Sequence, residues 1–198
     1  MGEFSGPDLL LNNRVRNFGQ EPVLNAISAT NAKLQARAQQ VASALKAANM
    51  TVVTAESCTA GNLAALLAEA EGAGAVLHGG FVTYTKEHKA RGLGVSSQLL
   101  QDQGAVNAEV VKQLAAGALE RSPATLAVAI SGVLGPECDE DGNPVGLVYF
   151  CVVMKDGALE VVREEFGEKS HEQLLEQTIL RALDLIAAQV PSLAETDA

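Results

Sequence analysis

The chain is expected to fold as an α/β domain, a three-layer α/β/α sandwich around a mixed, mostly parallel sheet. Three observations point there. Strand-like runs alternate with runs of helical period along most of the sequence. The stretch Thr125–Ser131 is almost continuously apolar, the mark of a strand covered on both faces. Lys155-Asp156-Gly157 between two β-rich runs signals a hairpin, so one strand must run against its neighbour.

Length and composition agree. At 198 residues the chain suits one domain with a substantial core. Aromatics make up 4% and Trp is absent, so the core is built from Ala, Val, Leu and Ile. A net charge of −10 argues against nucleic acid or an anionic membrane as a partner. It leaves room for an anionic small molecule, which a local cluster of backbone N–H groups can hold. Cys58, Cys138 and Cys151 form neither a disulfide framework nor a zinc pattern. His78, His88 and His171 show no metal-ligand spacing, so no metal or other cofactor is expected. No apolar run reaches membrane length and no leader is visible, which predicts a cytoplasmic protein.

Residues 1–31 read as an N-terminal extension, 32–190 as the domain and 191–198 as a tail. Leu24, Ile27, Asn31, Leu34, Ala38, Val41, Leu45 and Ala48 recur at spacings of three and four. They predict a helix over 32–48 packed on the domain and an accessory helix over 22–31, the latter suited to a subunit contact in a homo-oligomer. A strand over Thr51–Ala55 and a helix over Leu63–Ala70 follow, then a loop at 71–74 and a strand over Gly79–Thr85. Short helices are expected at Lys86–Leu93 and Ser97–Gln103, each stopped by a Gly. Asn107 caps a longer helix closed by Pro123, and the apolar strand at 125–131 comes next. After a loop over Gly132–Val145 come strands at Gly146–Val153 and Ala158–Phe166. Ser170 with Gln173 makes a capping box, and Leu175, Ile179, Leu183, Ile186 and Val190 give the last helix an apolar face.

Three stretches lie at strand ends, where sites of open α/β sheets gather. Ser57, flanked by Cys58 and Thr59 and followed by Gly61, sits at a strand-to-helix turn whose backbone N–H groups suit an anion or an acyl-transfer nucleophile. The plain alternative is that Ser-Cys-Thr caps a helix. Tyr84-Thr-Lys-Glu-His-Lys89 puts a phenol and two amines just past a strand. A Lys desolvated beside a Ser can act as its base, whereas Lys86 and Lys89 taken alone read as solvated charges. Ser131-Gly-Val-Leu-Gly-Pro136 ends a strand in a turn that could line a ligand with backbone groups. Cys58 as a thiol nucleophile is a weaker alternative. Asp139-Glu-Asp141 reads as a solvated acidic loop rather than a cation site.

Taken together, Thr54-Ala-Glu-Ser-Cys-Thr-Ala-Gly61, Gly80-Phe-Val-Thr-Tyr84 with Lys89, Leu93-Gly-Val95, Gly104-Ala-Val106, Ser131-Gly132, Gly135-Pro136 and Pro144-Val-Gly146 resemble the CinA C-terminal domain family, over roughly residues 33–190. The resemblance implies an amidohydrolase that converts nicotinamide mononucleotide to nicotinic acid mononucleotide and ammonia in pyridine nucleotide salvage. Members of that family occur alone or fused behind a molybdopterin-binding-like domain, and at 198 residues this chain is expected to be the stand-alone kind. By motif, the family's catalytic Ser–Tyr–Lys group falls on Ser57, Tyr84 and Lys89. Lys89 would take the Ser57 proton directly or through Tyr84, and N–H groups over Cys58, Thr59, Ala60 and Gly61 would hold the oxyanion. Thr59, Thr83, Ser131, Gly132, Gly135 and Pro136 would contact the nucleotide.

The sequence departs from the family pattern at the loop after Ser131. Leu134 replaces a small residue, Cys138-Asp139 replaces a Gly-Gly pair, and Asn143 stands where Lys is common. After Phe166, Lys169 and His171 replace the usual Arg residues. Bulk and repulsion there are expected to weaken an anionic mononucleotide. The alternative function is therefore a non-catalytic member that binds a nucleotide or a protein partner.

Overall fold

The computed structural model describes residues 31–191. In chain order its elements are α1 (Asn31–Ala47), β1 (Val52–Glu56), α2 (Asn62–Ala68), a 3₁₀ turn (Ala73–Ala75), β2 (Leu77–Val82), α3 (Lys86–Leu93), α4 (Ser97–Gln103), α5 (Ala108–Glu120), β3 (Leu126–Gly132), β4 (Leu147–Met154), β5 (Leu159–Glu165) and α6 (His171–Ala188). The accessory helix expected over 22–31 lies outside the described residues, apart from Asn31 itself.

One five-stranded sheet runs in the order β2-β1-β3-β4-β5. β1 is parallel to β2 and β3, while β4 is antiparallel to both β3 and β5. Four strands thus point one way and β4 alone opposes them, as the hairpin at Gly157 requires.

Alternation along β3 divides the core into two halves. Leu126, Val128 and Ile130 face α1, α2 and α6, together with Val148, Phe150 and Val152 of β4. Ala127 and Ala129 face α3, α4 and α5. The larger residues fill the first layer, and the small ones let α5 lie close in the second. In α1, the expected seam residues Leu34, Ala38, Val41 and Leu45 are buried. The helix starts follow from their caps: Thr85, Ser96 and Asn107 each accept a hydrogen bond from the backbone N–H three residues on, and Ser170 with Gln173 completes the capping box of α6.

β2 begins two residues earlier than expected and ends at Val82. Thr83 and Tyr84 therefore belong to the turn that enters α3, not to the strand. Chain connections leave β1 toward β2 on one side, then cross to β3 on the other. This reversal opens a crevice at the carboxyl ends of these strands.

The close approach of α5 to the end of α3 makes a prediction. A Cβ at Gly117 of α5 would lie 1.9 Å from the Leu93 carbonyl oxygen at the end of α3. Helix propensity favours Ala over Gly by about 1 kcal/mol. Gly117→Ala is nevertheless expected to destabilise the fold by about 2 kcal/mol, because backbone must move. Urea unfolding measures it, and a stabilised variant would contradict this packing.

Candidate active site

Ser57 follows directly on β1, and its N–H donates to the Ile130 carbonyl of β3 at 3.1 Å. The strand residue before it, Glu56, is fully buried. Its carboxylate accepts five hydrogen bonds. Oε1 takes the Thr54 hydroxyl at 3.0 Å and the Ala64 N–H at 2.8 Å. Oε2 takes the Thr59 hydroxyl at 2.7 Å, the Gly61 N–H at 3.0 Å and the Leu63 N–H at 3.1 Å. The positive end of α2 is thus satisfied from inside the chain. Gly61 occupies the cap position with φ 91° and supplies no side chain, so the Ser-Cys-Thr cap reading does not describe this turn. An acid one residue before the Ser, at the end of a strand that feeds a helix, was the available signal for this role.

This arrangement alters the expected oxyanion site. The N–H groups of Gly61, Leu63 and Ala64 are engaged by Glu56, and that of Ala60 by the Ser57 carbonyl at 3.1 Å. Among the described residues, the N–H groups of Cys58 and Thr59 have no carbonyl partner.

Lys89, in α3, is 1% exposed. Its amine lies 2.8 Å from Ser57 Oγ, 2.8 Å from the Thr83 carbonyl and 3.1 Å from the Tyr84 carbonyl. The reading of Lys89 as a solvated charge is overturned, because β2 ends early and lets the first turn of α3 carry it inward. Burial pulls its pKa down from 10.5 to about 8, and no carboxylate bonds to it among the described residues. Both carbonyls can only accept. The charged amine donates to all three oxygens; once deprotonated it would keep its two hydrogens on Thr83 and Tyr84 and turn its lone pair to the Ser57 hydroxyl.

Tyr84 contributes that carbonyl, while its side chain is 71% exposed at the mouth of the cleft. The phenol makes no hydrogen bond to Ser57 or Lys89; those two meet directly. The Cys58 thiol lines the cleft, but burial pushes its pKa up to about 12, so it stays protonated at neutral pH. That removes the basis for a thiolate nucleophile.

A cleft of about 560 Å³ opens over Ser57 and Lys89. Ser131, Gly132, Gly135 and Pro136 line it, as do Ala105 and His171, which the sequence reading did not select. Thr59, Ala60, Gly61 and Thr83 do not line it. Thr59 is turned to Glu56, and Thr83 serves through its carbonyl. The Ser131 hydroxyl donates to the Ala105 carbonyl at 2.8 Å, fixing the α4–α5 linker beside the cleft. At Gly132 a Cβ would lie 2.7 Å from the Leu147 carbonyl, which explains the glycine.

The divergent loop is more ordered than a solvated acidic run. Leu134 packs into the core, so its bulk is largely absorbed there. Asp139 accepts from the Asp141 N–H at 3.0 Å, the Asn143 N–H at 2.8 Å and the Asn143 amide at 2.8 Å. Lys86 at the start of α3 pairs with Asp141 at 2.7 Å and Glu140 at 3.0 Å. Among the described residues, no cluster of His, Cys, Asp and Glu could hold a metal ion, and no helix is long and apolar enough to cross a membrane.

Residues 34–190 match the family model of the CinA C-terminal domain. An Escherichia coli protein named nicotinamide-nucleotide amidohydrolase PncC is 41% identical over 138 residues, which cover 70% of this chain and 84% of that one. A CinA-like protein of Mycobacterium marinum is 47% identical over 110 residues, covering 56% of this chain and 26% of the other. Among solved structures, the competence/damage inducible protein CihA of Agrobacterium tumefaciens superposes with a TM-score of 0.77 at 33% identity, covering 83% of this chain and 98% of its own. A CinA superfamily protein of Klebsiella pneumoniae gives 0.75 at 34% identity, covering 82% and 98%.

The Glu56 carboxylate generates a prediction for the turn. Glu56→Gln keeps the shape but turns an amide N–H₂ toward groups that are themselves donors. It is expected to cost about 2–4 kcal/mol of stability. It should also speed hydrogen exchange at Gly61, Leu63 and Ala64. Unchanged exchange at those three amides would show that the carboxylate does not hold the turn.

Proposed function

The chain belongs to the CinA C-terminal domain family, and we propose that it is an amidohydrolase that deamidates nicotinamide mononucleotide to nicotinic acid mononucleotide and ammonia. The relatives named nicotinamide-nucleotide amidohydrolase support the reaction class and the nucleotide substrate. One observation carries the chemistry: the 2.8 Å contact between Ser57 Oγ and the buried Lys89 amine.

In this reading, neutral Lys89 takes the Ser57 hydroxyl proton as Oγ attacks the carboxamide carbon. The oxygen of the resulting tetrahedral species carries the negative charge, and the N–H groups of Cys58 and Thr59, which follow Ser57 directly and are not taken by a carbonyl, are the donors assigned to it. One such donor is typically worth about 3 kcal/mol of barrier. The C–N bond then breaks, and Lys89 returns the proton to nitrogen as ammonia leaves. Water, deprotonated by the same amine, attacks the Ser57 ester, and Lys89 hands that proton back to Oγ as the C–O bond breaks and the carboxyl product leaves. Lys89 serves both steps without a third side chain. The Tyr84 ring, at the mouth, is suited to packing on the substrate, while its carbonyl keeps the amine in line.

A second reading draws on the paired acids at the cleft rim. A member with such a loop could bind a nucleotide or a protein partner without turnover, and the same assay separates the two.

Ammonia release from nicotinamide mononucleotide is expected from the wild-type protein and to fall by roughly 10³-fold or more in Ser57→Ala and Lys89→Met. Equal release by wild type and Ser57→Ala ends the nucleophile assignment, and none from the wild type favours the second reading. Tyr84→Phe should keep kcat within about threefold, since no proton passes through the phenol. A loss comparable to that of Lys89→Met would restore the relay through Tyr84.

The pH profile follows from the lowered Lys89 pKa. The active form is the neutral amine, so kcat/KM should rise about tenfold per pH unit below the pKa and level off above about 8. The stability sign is the same. Between about 8 and 10.5 the unfolded chain binds the proton that the folded chain has released, so this residue makes stability rise with pH across that window. A flat rate profile from pH 6 to pH 9 would exclude Lys89 as the base.

A further inference from the structure

At its mouth the cleft is already holding an anion, and the anion belongs to the chain. Lys86 donates to Asp141 Oδ1 at 2.7 Å, and the Ala105 N–H donates to Asp141 Oδ2 at 3.2 Å. An ammonium and a backbone N–H converging on one pair of oxygens is the donor set that a phosphate or carboxylate ligand requires. Lys86, Ala105 and Asp141 all line the cleft that contains Ser57 and Lys89. The approach is close: a Cβ at Gly104 would lie 2.5 Å from Asp141 Oδ2, so the carboxylate rests against the bare α-carbon.

Nothing in the loop's own turn depends on this contact. Asp139, not Asp141, accepts the N–H groups that shape residues 139–143. Nor is the donor side loose, because the carbonyl of Ala105 is tied to the Ser131 hydroxyl. Glu140, the second partner of Lys86, is mostly exposed and its attraction is screened by solvent. The carboxylate of Asp141 is the better-sheltered partner, and it stands where an incoming anion would have to sit.

We propose that Asp141 is a specificity-determining residue, whose carboxylate competes with a substrate phosphate for Lys86 and the Ala105 N–H. The cleft then takes the phosphorylated carboxamide less readily, relative to its nucleoside, than it would without that charge. The substrate arm of this proposal rests on the amidohydrolase reading; the anion site itself does not.

Two measurements on the full chain separate them. The first titrates ¹⁵N-labelled protein with inorganic phosphate and follows the Ala105 amide by NMR. Asp141→Asn keeps the size of the side chain and removes its charge. It is expected to bind phosphate at least about fivefold more tightly than wild type, and adding Lys86→Met should abolish the gain. Asp141→Ala, which also frees the Ala105 N–H, should show the same direction. Equal affinity in wild type and both Asp141 variants overturns the proposal. The second compares kcat/KM for nicotinamide mononucleotide and for nicotinamide riboside. The nucleotide-to-nucleoside ratio should rise at least about fivefold in Asp141→Asn, and an unchanged ratio overturns the specificity role. If no protein releases ammonia from either compound, the amidohydrolase reading fails, and the phosphate titration still decides the anion site.

Discussion

The rest of the site depends on a buried carboxylate at the end of a strand. Glu56 draws two hydroxyls and three backbone N–H groups onto itself. Its own carbonyl accepts the Thr83 N–H at 2.8 Å. One residue thus joins β1, the start of α2 and the end of β2. A charged group so deep in a protein is tolerable only when its oxygens are fully partnered, and here the helix end supplies partners that would otherwise need water. Ser57, next in the chain, inherits a fixed direction from both sides. Its N–H is held by β3, and its side chain is left pointing at α3.

Burial of Lys89 is the counterpart of that fixed serine. Moving an ammonium out of water is unfavourable, and the drop from 10.5 to about 8 represents roughly 3 kcal/mol against the charged form. Three oxygen acceptors reduce the penalty without cancelling it, because none carries a full charge. A carboxylate in place of either carbonyl would have kept the amine protonated and useless as a base. The turn after β2 supplies neutral carbonyls from two consecutive residues, which is why Thr83 and Tyr84 matter through their backbone.

Legibility followed the range of the interaction. Caps and stops are local, so α3 and α4 coincide with their sequence-based bounds, and the Ser170–Gln173 box marks the start of α6. Alternation along β3 was hidden, because a strand buried on both faces is apolar at every position. At the site, Ser57 and Lys89 were visible as a juxtaposition of types, but the depth of Lys89 was not. Depth comes from where β2 stops, and a three-residue shift of a strand end has no signature in composition. The part played by Glu56 left only its position as a signal, since an acid before a strand-to-helix turn looks the same whether it faces solvent or the helix end. The Lys86–Asp141 pair joins residues 55 apart and could be found only in three dimensions.

Lys86 and Lys89 stand one turn apart on α3, at the spacing that puts side chains on neighbouring positions of a helix face. Their chemistry nevertheless diverges. The hydrogen bonds that Lys86 donates to Asp141 and Glu140 push its pKa up and keep it a cation, whereas burial pulls Lys89 down toward neutrality. A single helical turn therefore runs from a cation held by acids at the cleft rim to an amine at its floor whose charged form burial disfavours. The gradient is set by what the helix lies against, an acidic loop at its first residue and the end of β1 one turn later. Changing the loop can retune the rim without disturbing the floor, because the two lysines share no partner. Of the two lysines, the loop's acids act on Lys86 alone, and the hydrogen bonds of Lys89 are all made at the end of β1 and in the turn that enters α3.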